Sequence, residues 1–200
     1  MTSYPKQYKY PNPKKHKMQR INTLSNQLTA GHGNLVSPLN QRTPDDVVIV
    51  AAYRTPLTRA RKGLLKDTAP EVMLSQVLKG LLEKTKVDPA KVEDMIVGNC
   101  LQPAAGAIVS RAAQLMAGFP VESSVAAINR QCSSGIEACS VIAAKIKSGV
   151  IDVGIGAGVE SMTNFAMTGM APADKLADEL FEDEVARNCL LPMGMTSEVS

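Results

Sequence analysis

Four short apolar runs, each separated from the next by room for a helix, constrain this chain more than any other feature. Val47, Val48, Ile49, Val50, Ala51 and Ala52 form the first run, and Met95, Ile96 and Val97 the second. Val125, Ala126, Ala127 and Ile128 form the third, and residues 151–157 the fourth. Apolarity that is continuous rather than alternating is expected of parallel strands covered on both faces. Strand alternating with helix implies right-handed crossovers and a mainly parallel α/β sheet.

The intervening segments carry matching signals. Thr68, Ala69, Pro70 and Glu71 form a capping-box pattern, in which the Thr hydroxyl and the Glu side chain would satisfy each other's orphan amides. The helix after it shows Met73, Val77 and Leu81 beside Leu74, Leu78 and Leu82, a one-sided apolar stripe that should pack on the sheet. Asp88 and Pro89 start a short turn before the second strand, which ends at Gly98 and Asn99. A helix over 108–117 stops at Gly118 and Pro120. Gly154, Gly156 and Gly158 invite a dinucleotide-binding reading, but the third glycine of that fingerprint is replaced by Val159. These glycines also lie within a strand, not in a turn opening a helix. They are better read as places where another layer or a substrate approaches the backbone.

Chemistry concentrates at Asn129, Arg130, Gln131, Cys132, Ser133, Ser134 and Gly135, which join the third run to a helical pattern reaching Lys147. A cysteine at a helix entry meets unpaired N–H groups and the positive end of the dipole, so its thiol should ionise more readily than a free one. Cys132 is therefore the candidate nucleophile. From spacing alone, a small core residue is an equal alternative, because most free cysteines are just that. Ile136, Cys139, Ala143 and Ile146 recur at helical spacing, Ile142 joins them, and the other faces are largely Ala and Ser. So little polar face implies a helix buried between layers.

Charge divides the 200 residues into two parts. Residues 1–42 hold seven of the 22 Lys and Arg and no acid, so the remainder carries 15 basic against all 19 acidic residues. Residues 1–43, punctuated by Pro5, Pro11, Pro13 and Pro38, bury too little to offset their ordering entropy and are expected to be a disordered basic tail. Tyr4, Tyr8 and Tyr10 interleave with basic residues, yet the mildly acidic body offers no face to extend a nucleic-acid contact. No apolar stretch is long enough for a membrane span or a secretory signal. Cys100, Cys132, Cys139 and Cys189 lack metal-type spacing, which argues for a reducing compartment.

The stretch around Cys132 resembles the nucleophile signature of thiolases. Residues 158–163 (Gly158, Val159, Glu160, Ser161, Met162, Thr163) and 192–198 (Pro192, Met193, Gly194, Met195, Thr196, Ser197, Glu198) resemble two further thiolase stretches in the same order. The resemblance covers roughly 44–200 and is greatest to the peroxisomal 3-ketoacyl-CoA branch of the family. It implies a layered αβα fold, here an incomplete N-terminal half. Residues 44–162 would be the α/β domain, and 163–200 the start of a loop domain over CoA and the acyl chain, with a helix around 173–186. It also implies an acetyl-CoA C-acyltransferase that cleaves 3-ketoacyl-CoA thiolytically in fatty-acid β-oxidation, through an acyl group on Cys132. Acyl-CoA and CoA would be substrates, no metal or redox cofactor would be required, and the enzyme would be a homodimer. Met167, Met170, Met193 and Met195 are candidates for an adaptable pocket lining, with core packing an equal alternative.

Arg20 and Ile21, then five residues, then Gln27 and Leu28 resemble an N-terminal peroxisomal targeting nonapeptide, which implies an import receptor as partner and a peroxisomal location. If helical, Ile21, Leu24 and Leu28 share a face. His16 and His32, the only histidines, lie in the tail, so the resemblance places the activating histidine and second cysteine outside these residues. The 200 residues alone should then be inactive. Two alternatives remain open: a thiolase of the acetoacetyl-CoA type in another compartment, and an incomplete chain that only associates with a full-length subunit.

Overall fold

A computed structural model describes residues 46–167 and 173–198. They fall in the unit spanning Asp45–Ser200. The basic tail, with Arg20, Ile21, Gln27 and Leu28, lies outside the described residues.

Three parallel strands form the centre: β1 (Asp94–Gly98), β2 (Ser124–Ile128) and β3 (Gly154–Gly158), in the order β2-β1-β3. Their register is flush, with Gly98 opposite both Ile128 and Gly158, so all three carboxyl ends finish at one edge. Helices α1 (Pro70–Thr85) and α2 (Ala107–Met116) cover one face, and α3 (Ser134–Lys147) covers the other. The pleat of β1 divides its side chains between the two layers. Met95 and Val97 join Leu74, Leu78, Ala113 and Phe119, whereas Ile96 joins Ala138, Ile142 and Ile151.

Two close approaches tie α3 to the sheet. A Cβ on Gly98 would stand 2.5 Å from the Ser134 carbonyl carbon, and one on Gly156 would stand 2.7 Å from Cys139 Cα. The glycine-rich strand is thus a packing surface, as its sequence suggested. At the opposite edge of the sheet, the buried Asp94 carboxylate accepts hydrogen bonds from Lys145 Nζ, from Ser124 Oγ at 2.7 Å and from its neighbour Met95 N at 2.9 Å. Burial pushes the Asp94 pKa up, but these donors and the Lys145 charge outweigh it and hold the carboxyl below its usual range.

Four expectations change. The run 47–52 is not a strand: Val48, Ile49 and Val50 are 71–85% exposed, and neither β2 nor β3 pairs with them. A continuous apolar run asks for burial but does not say which edge supplies its ladder. The capping box does not form, because Ala69 is the N-cap of α1 and makes no side-chain bond. Pro70 at the first helical position forces its predecessor into extended backbone and removes one orphan donor, which makes a side-chain cap less necessary. The helix over 173–186 is broken into a 3₁₀ turn at Ala173–Lys175 and the short helices α4 (Asp178–Glu182) and α5 (Glu184–Arg187). Neither short helix buries a residue, so nothing holds one continuous rod together. Finally, α3 is covered on one side only. Ser134, Ala138 and Ile142 are buried, while Ile136 is 71% exposed.

Candidate active site

The flush strand ends bring three loops together. Residues after Gly98, Ile128 and Gly158 leave the same edge of the sheet, where ligands bind in open parallel sheets. Asn99 N donates to Ile128 O at 3.0 Å, and Val159 N donates to Gly98 O at 3.1 Å, so the ladder continues one step into the loops.

Cys132 lies in the sharp turn between β2 and α3, one residue before the N-cap Ser133, and is exposed. The turn is tight. Ser133 N donates to Arg130 O at 3.1 Å and Ser134 N to Gln131 O at 3.0 Å. Ser134 Oγ closes it from inside, accepting from Arg130 N at 2.9 Å and donating to Gln131 O at 2.5 Å. Gln131 takes a left-handed φ of 54°, a conformation that costs a residue with a Cβ about 1 kcal/mol or more. The Arg130 guanidinium pairs with Glu137 in the first turn of α3.

Facing this turn is the loop after β1, organised by Glu160. The carboxylate accepts from Cys100 N at 2.8 Å, Leu101 N at 3.4 Å and Asn99 Nδ2 at 3.1 Å. Asn99 Oδ1 in turn accepts from Gln102 N at 2.7 Å. Asn129 Nδ2 reaches across to Cys100 O at 3.0 Å, which joins the two loops. Burial pushes the Cys100 thiol up, and the charges of Glu160 and Cys132 act in the same direction, so Cys100 stays protonated at neutral pH. Ser161 starts a turn that receives Asn164 N and Phe165 N. Thr163 Oγ1 accepts from Arg61 N at 2.9 Å, drawing the exposed loop over 54–66 toward the site.

Sequence reasoning placed Cys132 at a strand-to-helix turn, and the turn is there. It missed Asn99, Cys100 and Glu160 as one hydrogen-bonded group. The available signal was Glu160 in the second family-like stretch, an acid two residues past a glycine strand with no helix to solvate it. Met167, Met193 and Met195 are exposed, and Met170 lies outside the described residues, so no apolar lining is formed by them here. Among the described residues, no cluster of three His, Cys, Asp or Glu side chains is placed to ligate a metal, and no helix is long and apolar enough to cross a membrane.

The family model for the thiolase N-terminal domain matches residues 47–200. The chain belongs to the thiolase family. Its α/β layers are those of the thiolase fold. It is 44% identical over 181 residues to a peroxisomal 3-ketoacyl-CoA thiolase of Yarrowia lipolytica, a match covering 90% of this chain and 43% of that protein. The dimeric peroxisomal thiolase of Saccharomyces cerevisiae superposes with a TM-score of 0.73 at 40% identity, over 79% of this chain and 41% of that one. A second structure of peroxisomal 3-ketoacyl-CoA thiolase from the same yeast, described as five layers built from two core domains of identical topology, matches with a TM-score of 0.69 at 39% identity. That match covers 80% of this chain and 44% of that one. The thiolase chain described here therefore spans less than half the length of the relatives it matches.

Proposed function

We propose that these residues are the nucleophile-bearing part of an acetyl-CoA C-acyltransferase that cleaves 3-ketoacyl-CoA with a second molecule of CoA. The observation that carries this reading is Cys132, exposed at the helix entry where three loops of a thiolase fold converge. Its thiolate attacks the C3 carbonyl carbon of the substrate, and the tetrahedral oxyanion is held by N–H donors, with the Cys132 amide as one of them. The C2–C3 bond then breaks. Its electron pair leaves on C2 as the enolate of acetyl-CoA, takes a proton, and departs, leaving the acyl group as a thioester on Cys132 Sγ. The thiol of a fresh CoA, losing its proton to a base, attacks that thioester and releases the shortened acyl-CoA and the Cys132 thiolate. The enolate is stabilised by its own thioester carbonyl, so the cycle requires neither a metal nor a redox cofactor.

The bases come from residues other than those described, because His16 and His32 sit in the basic tail. The open face of α3 supports the same reading, since a helix covered on one side only has room for a second α/β layer. The working enzyme on this reading is a homodimer in the peroxisome. Residues 1–43 carry the address, with Arg20, Ile21, Gln27 and Leu28 read by an import receptor. Residues 44–162 form the α/β domain, and 163–200 open the loop domain over CoA.

In the full-length protein, Cys132→Ala should abolish thiolysis of acetoacetyl-CoA and longer 3-ketoacyl-CoA while the fold is retained, and acetyl-CoA should acylate Cys132 of the unaltered protein. Thiolysis surviving Cys132→Ala would overturn the assignment. Import that survives joint replacement of Arg20 and Leu28 by Ala would overturn the targeting role.

A further inference from the structure

The turn carrying Cys132 contains an unfavourable residue and must be held from outside. Gln131, with φ of 54°, directly precedes the nucleophile, and its amide N–H donates to Asn129 Oδ1 at 2.9 Å. The other end of that side chain, Asn129 Nδ2, donates to Cys100 O at 3.0 Å. Cys100 is itself placed by the Glu160 carboxylate, which accepts from the Cys100 and Leu101 amides. A continuous line of oriented hydrogen bonds thus runs from the loop after β3 through the β1 loop into the β2–α3 turn.

Resting on the assignment of Cys132 as nucleophile, we propose that Glu160 and Asn129 are positioning residues that act through the backbone of Cys100 to fix the turn presenting Cys132. The chemistry of each position suits this use. Three donors point at Glu160, and only a carboxylate accepts at both oxygens, whereas Gln would turn an NH₂ group toward one of them. Asn129 must donate at one end and accept at the other, which a carboxamide does and a carboxylate does not. A displacement of the nucleophile by about 1 Å can cost about a hundredfold in rate.

The test uses the full-length protein, with Glu160→Gln, Asn129→Ala and the double variant. The line predicts that each single change lowers kcat about tenfold or more with KM within about twofold. The double variant should lose no more than the worse single, because both cut one chain of contacts. Amide exchange over 130–133 should accelerate about tenfold in Glu160→Gln at unchanged melting temperature, which a role in overall stability would not produce. Additive losses in kcat, or unchanged exchange over 130–133 in folded Glu160→Gln, would overturn the proposal. Asn129 is exposed, so its variant folds even if the Glu160 change does not, and it then carries the test through exchange at Gln131. Failure of the nucleophile assignment is a separate result, read from acylation of Cys132 in the unaltered protein. The exchange measurement decides the positioning line in either case.

Discussion

Two apolar runs of nearly the same composition meet opposite fates. Asp94–Gly98 is buried at every position, with Met95 and Val97 at 0% exposure, whereas Val48, Ile49 and Val50 in the 47–52 run stand at 71–85%. Hydrophobicity does not separate them. β1 has a ladder partner on each edge and a helical layer on each face, while among the described residues the first run has neither. The hydrophobic effect is non-directional, so it rewards burial wherever neighbours exist and cannot by itself choose them.

The sharpest break in this comparison comes from placing a charge in each run. Val97→Asp should cost about 4 kcal/mol or more, enough to unfold the protein, because the carboxylate would be buried without a partner. Ile49→Asp in the 200-residue chain should leave the denaturation midpoint unchanged. A loss at Ile49 comparable to that at Val97 would show that the two runs are not different after all.

Next in size is Gly98→Ala. The added methyl meets Ser134 and Gly135 backbone at 2.5–2.7 Å, and backbone cannot rotate away as a side chain would. The expected loss is about 1–3 kcal/mol, with the entry of α3 displaced and activity of the full-length protein reduced. Thermal melts and kcat measure the two effects.

A smaller effect is expected at the other end of β1. Asp94→Asn should cost about 1–2 kcal/mol near neutral pH by weakening the contacts from Lys145 and Ser124. Because the folded Asp94 carboxyl lies below its unfolded value of about 3.9, its contribution is present above that pH and disappears as pH falls through the folded value. The gap in melting temperature between Asp94→Asn and the unaltered protein should therefore narrow on acidification below about pH 4. A gap that stays constant to low pH would refute the link.

The smallest change belongs to the exposed segment. Asp183 Oδ1 accepts from Ala186 N at 2.9 Å at the start of α5. Asp183→Ala should cost about 1 kcal/mol locally and speed amide exchange over 184–187 without shifting the global melt.

Much of the central sheet was legible because local and tertiary preferences agree there. The second and third apolar runs, Asp88 with Pro89, and Gly118 mark real boundaries, the fourth run becomes a strand only over Gly154–Gly158, and the α1 stripe buries Leu74 and Leu78 as its spacing requires. The α3 stripe was misread. With small residues on every face, the 3.6 periodicity gives little contrast, and the side chosen by the sheet runs through Ser134, Ala138 and Ile142. Of the candidate site, the turn around Cys132 was legible, whereas the hydrogen-bonded group of Asn99, Cys100, Asn129 and Glu160 was not, since its members come from three separate loops.

The sequence by itself determined an α/β chain with a cysteine at the entry of one helix, because periodicity and helix-end chemistry act over a few residues. Only the tertiary structure decided that Glu160 holds the Cys100 loop against the Cys132 turn, some 30 residues apart on either side. It also decided which apolar run gained neighbours. Contacts of that range depend on the order and register of strands, and no short-range pattern encodes which edges will meet.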